Sequence, residues 1–201
     1  MRCSQRWRNP PATAALPPAV VKAWLAKFPS AVQTRGTTLL AKLGPDPAQQ
    51  RAHLDELAAS LKDGDIRRGQ AVFNSPKTAC AACHAIGYLG GNFGPDLTRI
   101  GQVRTERDLL EAVVYPSASF VRSYEPMIVV TKTGGEQTGL LRRDAPGEVV
   151  LATAPNLEIR IARGELAEIR PGAMSLMPPG FDLMLSKQEL ADLIAFLKAA
   201  R

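Results

Sequence analysis

The spacing of hydrophobic positions divides the chain into helical and strand-like stretches. Apolar residues that recur every three or four positions predict helices at about residues 19–28, 34–43, 47–61, 65–73, 105–115 and 186–200. From residue 124 the period changes to two, and short apolar runs broken by Gly and Pro predict strands at about residues 127–131, 138–141, 149–153, 157–161 and 166–169. The strands predict a compact antiparallel element between two helical segments.

Local signals mark where three of the helices begin. Asp65 and Thr105 each stand in the N-cap position before an apolar-periodic stretch, and Pro116 ends the second of these helices. Ser186 and Glu189 have the spacing of a capping box at the start of the last helix. These helix starts are therefore predicted independently of the hydrophobic period.

Composition and charge narrow the classes of partner. The chain has 201 residues, is 45% hydrophobic and carries a formal charge of +6, with nine Lys or Arg against four Asp or Glu in residues 1–64. The basic residues are not interleaved with aromatic ones, so we expect no nucleic-acid partner. The positive charge is more simply interpreted as attraction of the chain toward an acidic protein partner. No stretch approaches the ~20 apolar residues of a membrane-spanning helix.

The most specific motif is the sequence CAACH at residues 80–84. Its thiols are one helical turn apart, so Cys80 and Cys83 can add to the two vinyl groups on one edge of a porphyrin and form thioethers. His84 would then lie beneath the iron and offer an imidazole nitrogen as an axial ligand. The motif therefore predicts one covalently attached haem c bound by Cys80, Cys83 and His84.

Two other uses of a CxxC sequence stay open as alternatives. A structural zinc site needs four ligands, and the other Cys and His residues, Cys3 and His53, are distant in sequence. A thioredoxin-like dithiol needs a preceding strand, whereas a helix is predicted before this motif. Three cysteines are too few for a disulfide framework, and we expect Cys3 to be a free thiol in the N-terminal arm.

A rigid turn follows the motif and offers a second contact to the histidine. A metal-bound histidine usually donates its other ring N–H to a fixed acceptor, and the carbonyl of Pro95 in the sequence GPDL at residues 94–97 is the candidate. Arg99, close behind, is a candidate partner for a haem propionate, with an exposed surface arginine as the alternative.

The second axial ligand is sought among the methionines. We favour Met177, because the sequence PPG at residues 178–180 would hold its thioether on a stiff extended segment. Met174 in the same loop, His53 and an open position are the alternatives. Met127 and Met184 are expected in the hydrophobic core.

These features resemble a class I cytochrome c. In that family the first and last helices cross, with a glycine and an aromatic residue of one packed against a leucine and an aromatic residue of the other. The matching positions here are Gly69, Phe73, Leu193 and Phe196.

More narrowly, residues 65–201 are similar to haem-binding domains at the C-terminal end of large dehydrogenase-type proteins of planctomycetes and verrucomicrobia. The matching segments are GGNFGPDLT at 90–98, YPS at 115–117, Tyr124 and SLMPPG at 175–180. The resemblance implies a mainly α fold, the class I cytochrome c fold, with a small antiparallel β insertion and an N-terminal helical layer. The corresponding division is an N-terminal arm with short helices (1–64), a proximal half (65–123), a β-rich insertion (124–173) and a distal half (174–201).

The function expected from the motif and the resemblance is single-electron transfer by a haem domain, without an enzymatic reaction of its own. The resemblance implies a redox protein partner or attached domain of the dehydrogenase class. Haem attachment to such motifs normally occurs outside the cytoplasm, so a periplasmic or other extracytoplasmic location is expected, although residues 1–8 are not followed by the apolar stretch of a signal peptide. The alternatives are a haem enzyme or gas sensor with an open sixth position, and a module that docks to a partner through its β segment.

Overall fold

The structure, a computed structural model, describes residues 24–41 and 47–201, with the backbone alone for residues 37–41. The predicted N-terminal arm, Cys3 and the first part of the helix predicted at 19–28 lie outside the described residues. The chain divides into two compact units, residues 1–55 and 56–201. No described helix is both long and apolar enough to cross a membrane.

The helices lie close to the predicted positions, and three single-turn helices and a short two-stranded hairpin are added to them. The described helices are α1 (Ser30–Ala41), α2 (Pro47–Ser60), α3 (Ile66–Asn74), α4 (Cys80–Cys83), α5 (Ile100–Val103), α6 (Glu106–Val114), α7 (Phe181–Met184) and α8 (Lys187–Ala199). The strands are β1 (Ala85–Ile86), β2 (Leu89–Gly90), β3 (Pro126–Thr131), β4 (Glu136–Asp144), β5 (Glu148–Ala154), β6 (Leu157–Ala162) and β7 (Leu166–Pro171). A 3-10 turn, Arg163–Glu165, joins β6 to β7.

The prediction of a mainly α class I cytochrome c fold is wrong. The structure has 41% helix and 23% strand, in a five-stranded antiparallel sheet and a two-stranded one. The physical reason is that β3–β7 enclose a hydrophobic cluster of their own, centred on Val129, Val149, Leu151 and Ile161. A sheet with its own core is a second layer of the fold rather than a small insertion in a helical domain.

The helical layer is built on the contact between α3 and α8. Gly69 faces α8 so closely that a Cβ there would meet the backbone carbonyl of Asp192 and lie 2.7 Å from Phe196 Cβ. One turn further along α3, the rings of Phe73 and Phe196 pack with centroids 5.5 Å apart. The expected glycine and aromatic contacts between these two helices are therefore present.

Capping residues fix the starts of the helices as predicted. The Asp65 side chain accepts a hydrogen bond from the backbone N–H of Arg68 at the start of α3. Ser186 and Glu189 form a reciprocal capping box at α8. Thr105 caps α6 and forms a capping box with Asp108, so two of the three starts carry the double hydrogen bond.

The five-stranded sheet is antiparallel, and the 3-10 turn Arg163–Glu165 connects its two outer strands, β6 and β7. Its strand order is β6-β5-β4-β3-β7, so β7 returns to pair with β3. Because side chains alternate along each strand, neighbouring residues point to opposite faces. Leu151 packs in the sheet's own core. Leu140 and Ala152 belong to a second cluster, which includes Phe93 from the loop that follows the CAACH motif.

Candidate functional site

The local backbone places the two cysteines on one helical turn and the histidine directly after it. Residues Cys80–Cys83 form a single helical turn, α4, and the N–H of His84 donates to the Cys80 carbonyl at 2.9 Å. The chain then becomes extended at His84, with φ −111° and ψ 135°. Cys80 and Cys83 are half-buried free thiols on that turn, and the His84 ring follows directly.

The His84 imidazole has a defined orientation and tautomer. Its Nδ1 lies 2.8 Å from the backbone carbonyl oxygen of Pro95. A carbonyl only accepts, so Nδ1 carries the proton and the Nε2 lone pair stays available. Burial lowers the pKa of His84, and the hydrogen bond to Pro95 opposes this in part. The imidazole is therefore neutral near pH 7, the form in which histidine binds metals.

A glycine makes room for that ring. A Cβ on Gly94 would lie 2.5 Å from Cε1 and 2.8 Å from Nδ1 of His84. The loop is tied to the motif by backbone hydrogen bonds, from Gly94 N to the Cys83 carbonyl at 2.7 Å and from Leu97 N to the Ala85 carbonyl at 2.8 Å. The motif and the GPDL turn thus form one rigid unit around the imidazole.

Both thiols are in the protonated form near neutral pH. Burial raises the pKa of Cys80, and a hydrogen bond involving the Thr78 side chain partly opposes the shift. Burial and the neighbouring Cys80 raise the pKa of Cys83. Reactive redox cysteines show the opposite shift, toward a stable thiolate.

A hydrophobic cluster covers one side of the motif. Its buried members are Phe93, Leu140 and Ala152, and the partly buried side chains of Cys83, Tyr124 and Leu176 pack against it. None of Phe93, Leu140 and Leu176 is predicted from the sequence as a site residue. The only available signal was the position of Phe93 and Leu176 inside the matched segments, since no local pattern tells which face of a strand meets a distant loop.

Met177 is connected to the motif through its neighbour. Leu176 packs on the same cluster as Cys83, and the backbone N–H of Met177 donates to Ser175 Oγ at 3.1 Å. Met177 is half-buried. The described contacts bring its loop to the motif, without a direct contact between Met177 and His84.

The alternative sixth ligands lie in different surroundings. Met174 is 61% exposed and Met184 is 43% exposed, so the expected core position of Met184 is not found. Met127 packs against the sheet's own core, as expected. His53 is half-buried in α2, in the other compact unit.

Arg99 is not part of this cluster. It is exposed, precedes α5 and lies beside Asp96 and Thr98 at a shallow surface cavity. Its expected role toward a haem propionate stays a prediction.

The donor set fits a haem better than a bare metal ion. Among the described residues, no three His, Cys, Asp or Glu side chains converge where a metal ion could be held. Cys80, Cys83 and His84 therefore do not form a zinc-like ligand group. A c-type haem does not require three converging protein ligands. Its thioether sulfurs bond to carbon, and the iron takes only the histidine nitrogen from this motif. Comparison with protein-family models and with curated protein sequences finds no match to this chain.

Proposed function

We propose that this chain is a c-type haem domain that transfers single electrons. The observation that carries the proposal is the neutral His84 imidazole, held through Nδ1 by the Pro95 carbonyl at 2.8 Å, directly after a helical turn with two free thiols. In this role Cys80 and Cys83 would hold the group covalently and His84 would offer Nε2 to its iron. The bound haem would supply a one-electron Fe(III)/Fe(II) couple.

The chain's own residues would act by fixing the imidazole. The hydrogen bond to Pro95 keeps the proton on Nδ1 and increases the basicity of the ring, as such partners do for metal-bound histidines. The absence of a side chain at Gly94 leaves space for the ring. Burial keeps His84 neutral, so no proton has to leave Nε2 before it binds a metal.

The redox-dithiol alternative is less well supported. A catalytic CxxC pair works through a thiolate, but burial raises the pKa of both Cys80 and Cys83. Thioether formation places no such requirement on a resting thiolate, because it occurs once and with the help of maturation machinery. The thiol chemistry thus favours attachment over repeated exchange.

We favour Met177 as the residue that would supply the second protein ligand to the iron. Its loop contacts the cluster that also contacts Cys83, while Met174 is largely exposed and Met127 lies in the separate sheet core. A Met/His pair would favour a relatively high reduction potential.

The proposed partner is a redox protein or attached domain of the dehydrogenase class, and the proposed location is extracytoplasmic. Both rest on the resemblance of residues 65–201 stated above. The positive charge of +6 supports an acidic surface on that partner.

The decisive test is haem staining after denaturing electrophoresis of protein made with export and maturation machinery. We expect a covalent stain in the wild type, its loss when Cys80 and Cys83 are both changed to Ser, and a severalfold weaker stain in Gly94→Ala. Gly147→Ala is the matched control, because its Cβ would meet nothing within 4 Å. An unstained wild-type chain would refute the proposal.

Visible spectroscopy tests the second ligand. Met177→Ala should abolish the weak sulfur-to-iron band of the ferric haem and lower the reduction potential, whereas Met174→Ala should change neither. Loss of the band in Met174→Ala instead would reassign the ligand. A high-spin wild type that binds carbon monoxide readily would favour an open sixth position.

A further inference from the structure

We infer that the five-stranded sheet is one wall of the haem site, and that Leu140 and Ala152 are positioning residues for the Met177 loop and the Cys83 side of the motif. The inference rests on the proposed function. It assigns the sheet a role inside the site, in place of a separate docking module.

Neighbouring side chains of β4 and β5 pack in different clusters. Leu140 is paired with Ala152 across β4 and β5, and the next pair along the ladder is Leu141 with Leu151. Leu140 and Ala152 pack with Phe93, Cys83 and Leu176, whereas Leu141 and Leu151 pack in the sheet's own core. Adjacent pairs on the same two strands thus serve two separate clusters.

The sheet is irregular where it contacts the loop that precedes Phe93. The register of β4 and β5 shifts between Leu141 and Arg143, which leaves Arg142 as the extra residue of a β-bulge. The Arg142 guanidinium donates from Nη2 to the backbone carbonyl of Asn92 at 2.7 Å. Asn92 precedes Phe93, so the bulge binds the loop whose aromatic ring lies in the site cluster.

The Met177 loop is held by the same cluster and by two hydrogen bonds. Leu176 packs against the cluster, and hydrogen bonds fix the residues on either side of it. Ser175 N donates to Ser117 Oγ at 2.9 Å, and Met177 N donates to Ser175 Oγ at 3.1 Å. The side chain of Leu176 and the backbone of Met177 are therefore held by the same few contacts, and the removal of the Leu140 surface would release them together.

The first test uses thiol labelling of the full-length chain without haem, with Cys80 and Cys83 read out separately by mass spectrometry. Leu140→Ala should raise the labelling rate of Cys83 about 5- to 30-fold, the factor expected for one to two kcal/mol of lost local stability. Leu151→Ala is the matched control, because Leu140 and Leu151 are 3% and 0% exposed and face opposite clusters. An equal rise of Cys83 labelling in both variants, or no rise in Leu140→Ala, would overturn the inference.

The second test uses the haem-loaded protein and does not depend on how well the haem-free chain folds. Leu140→Ala should weaken or abolish the sulfur-to-iron band and lower the reduction potential, and Leu140→Met, which nearly preserves the volume, should restore both. Leu151→Ala should keep the band. A wild type with the band and a Leu140→Ala variant with an unchanged spectrum would overturn this inference and leave the proposed function standing. A wild type without covalent haem would refute the proposed function, while the labelling test would still decide whether the sheet covers Cys83.

Discussion

A single buried carboxylate joins the two helices that cross in the helical layer. Asp192 on α8 is 2% exposed and forms an ion pair with Arg68 on α3, with Nε to Oδ2 at 2.7 Å and Nη2 to Oδ1 at 2.9 Å. The backbone N–H of Asp65 and the amide of Gln188 donate to Oδ1 of the same group, at 2.7 Å and 2.9 Å. Every partner is a donor, so the site is suited to the ionised form of Asp192.

These contacts make the free energy of unfolding depend on pH in the acidic range. The Arg68 guanidinium, opposed by burial and helped by the other donors, lowers the pKa of Asp192 from 3.8 to about 2. A lowered pKa in the folded state means that this contribution is fully present above about pH 4 and is lost as the pH falls toward 2.

Asp192→Asn should therefore lower the free energy of unfolding by about 2 kcal/mol at pH 7, the range for hydrogen bonds to a charged group. Urea unfolding of the haem-free chain, followed by far-ultraviolet circular dichroism at several pH values, measures this difference. The wild-type and variant curves should converge as the pH approaches 2. Glu125→Gln, at an exposed carboxylate, serves as the control, and parallel curves for wild type and Asp192→Asn would contradict the assignment.

At the scale of elements, the close approach of α3 and α8 depends on the missing side chain of Gly69. Gly69→Ala gains helix propensity of about 1 kcal/mol but forces a Cβ against the backbone of Asp192. Overpacking of this kind typically costs about 1–3 kcal/mol, and backbone is less able to move than a flexible side chain.

We expect Gly69→Ala to destabilise the chain by about 1–2 kcal/mol despite the better propensity. Thermal and urea unfolding measure the change. Gly164→Ala is the control, since its Cβ would meet nothing within 4 Å. A Gly69→Ala variant as stable as the wild type would mean that the helices do not cross this closely.

Elements with strong local signals were predictable from the sequence, and short ones were not. The signals for helix caps and for the longer strands lie in residues a few positions apart, which a local pattern contains. This applies to the caps at Asp65, Thr105 and Ser186 and to the strands β3–β7. The two-stranded hairpin of β1 and β2 and the single turns α5 and α7 span two to four residues each, too few for any period to show. The pairing of β7 with β3 and the orientation of Leu140 toward Cys83 depend on contacts distant in sequence.

At the scale of the whole molecule, the predicted fold class was wrong, while His84 Nδ1 does lie 2.8 Å from the Pro95 carbonyl. The segments that carry the resemblance, residues 90–98, 115–117 and 175–180 with Tyr124, lie outside the strands β3–β7, so they carry little information on that sheet. The strands were predicted in place, but their alternation does not reveal that one face builds a core and the other contacts the Cys83 loop. The contribution of the sheet to the fold and to the site depends on this packing between distant residues, which a local pattern does not contain.

The sheet can be removed with little strain on the chain ends. Met127 is paired with Pro171, and Gly172 N donates to the Pro126 carbonyl at 2.7 Å, so the chain enters and leaves the sheet at the same point. Replacing residues 127–171 by Gly-Gly should keep the helical circular dichroism while it abolishes the sulfur-to-iron band and exposes Cys83.

The docking-module alternative makes the opposite prediction for this deletion, with the haem spectrum and potential intact and only partner binding lost. Visible spectra and potentiometry of the deletion variant therefore separate the two roles of the sheet. The Leu151→Ala variant, with an intact chain and a weakened sheet core, controls for general destabilisation.

The arrangement of the site along the chain also has a kinetic consequence. His84 and Pro95 are eleven residues apart, so their contact closes a short loop. Leu176 and Cys83 instead pack on a cluster that contains Leu140 and Ala152, so their packing needs the strands β4 and β5 in place. Contacts between residues distant in sequence form late, because more chain entropy is lost before they contribute. The CAACH turn and the contact between His84 and Pro95 should thus form while Cys83 is still accessible to solvent. The sheet should cover Cys83 afterwards. Attachment of the proposed haem would then have to precede the last folding step, and a variant whose sheet folds faster would be matured less completely.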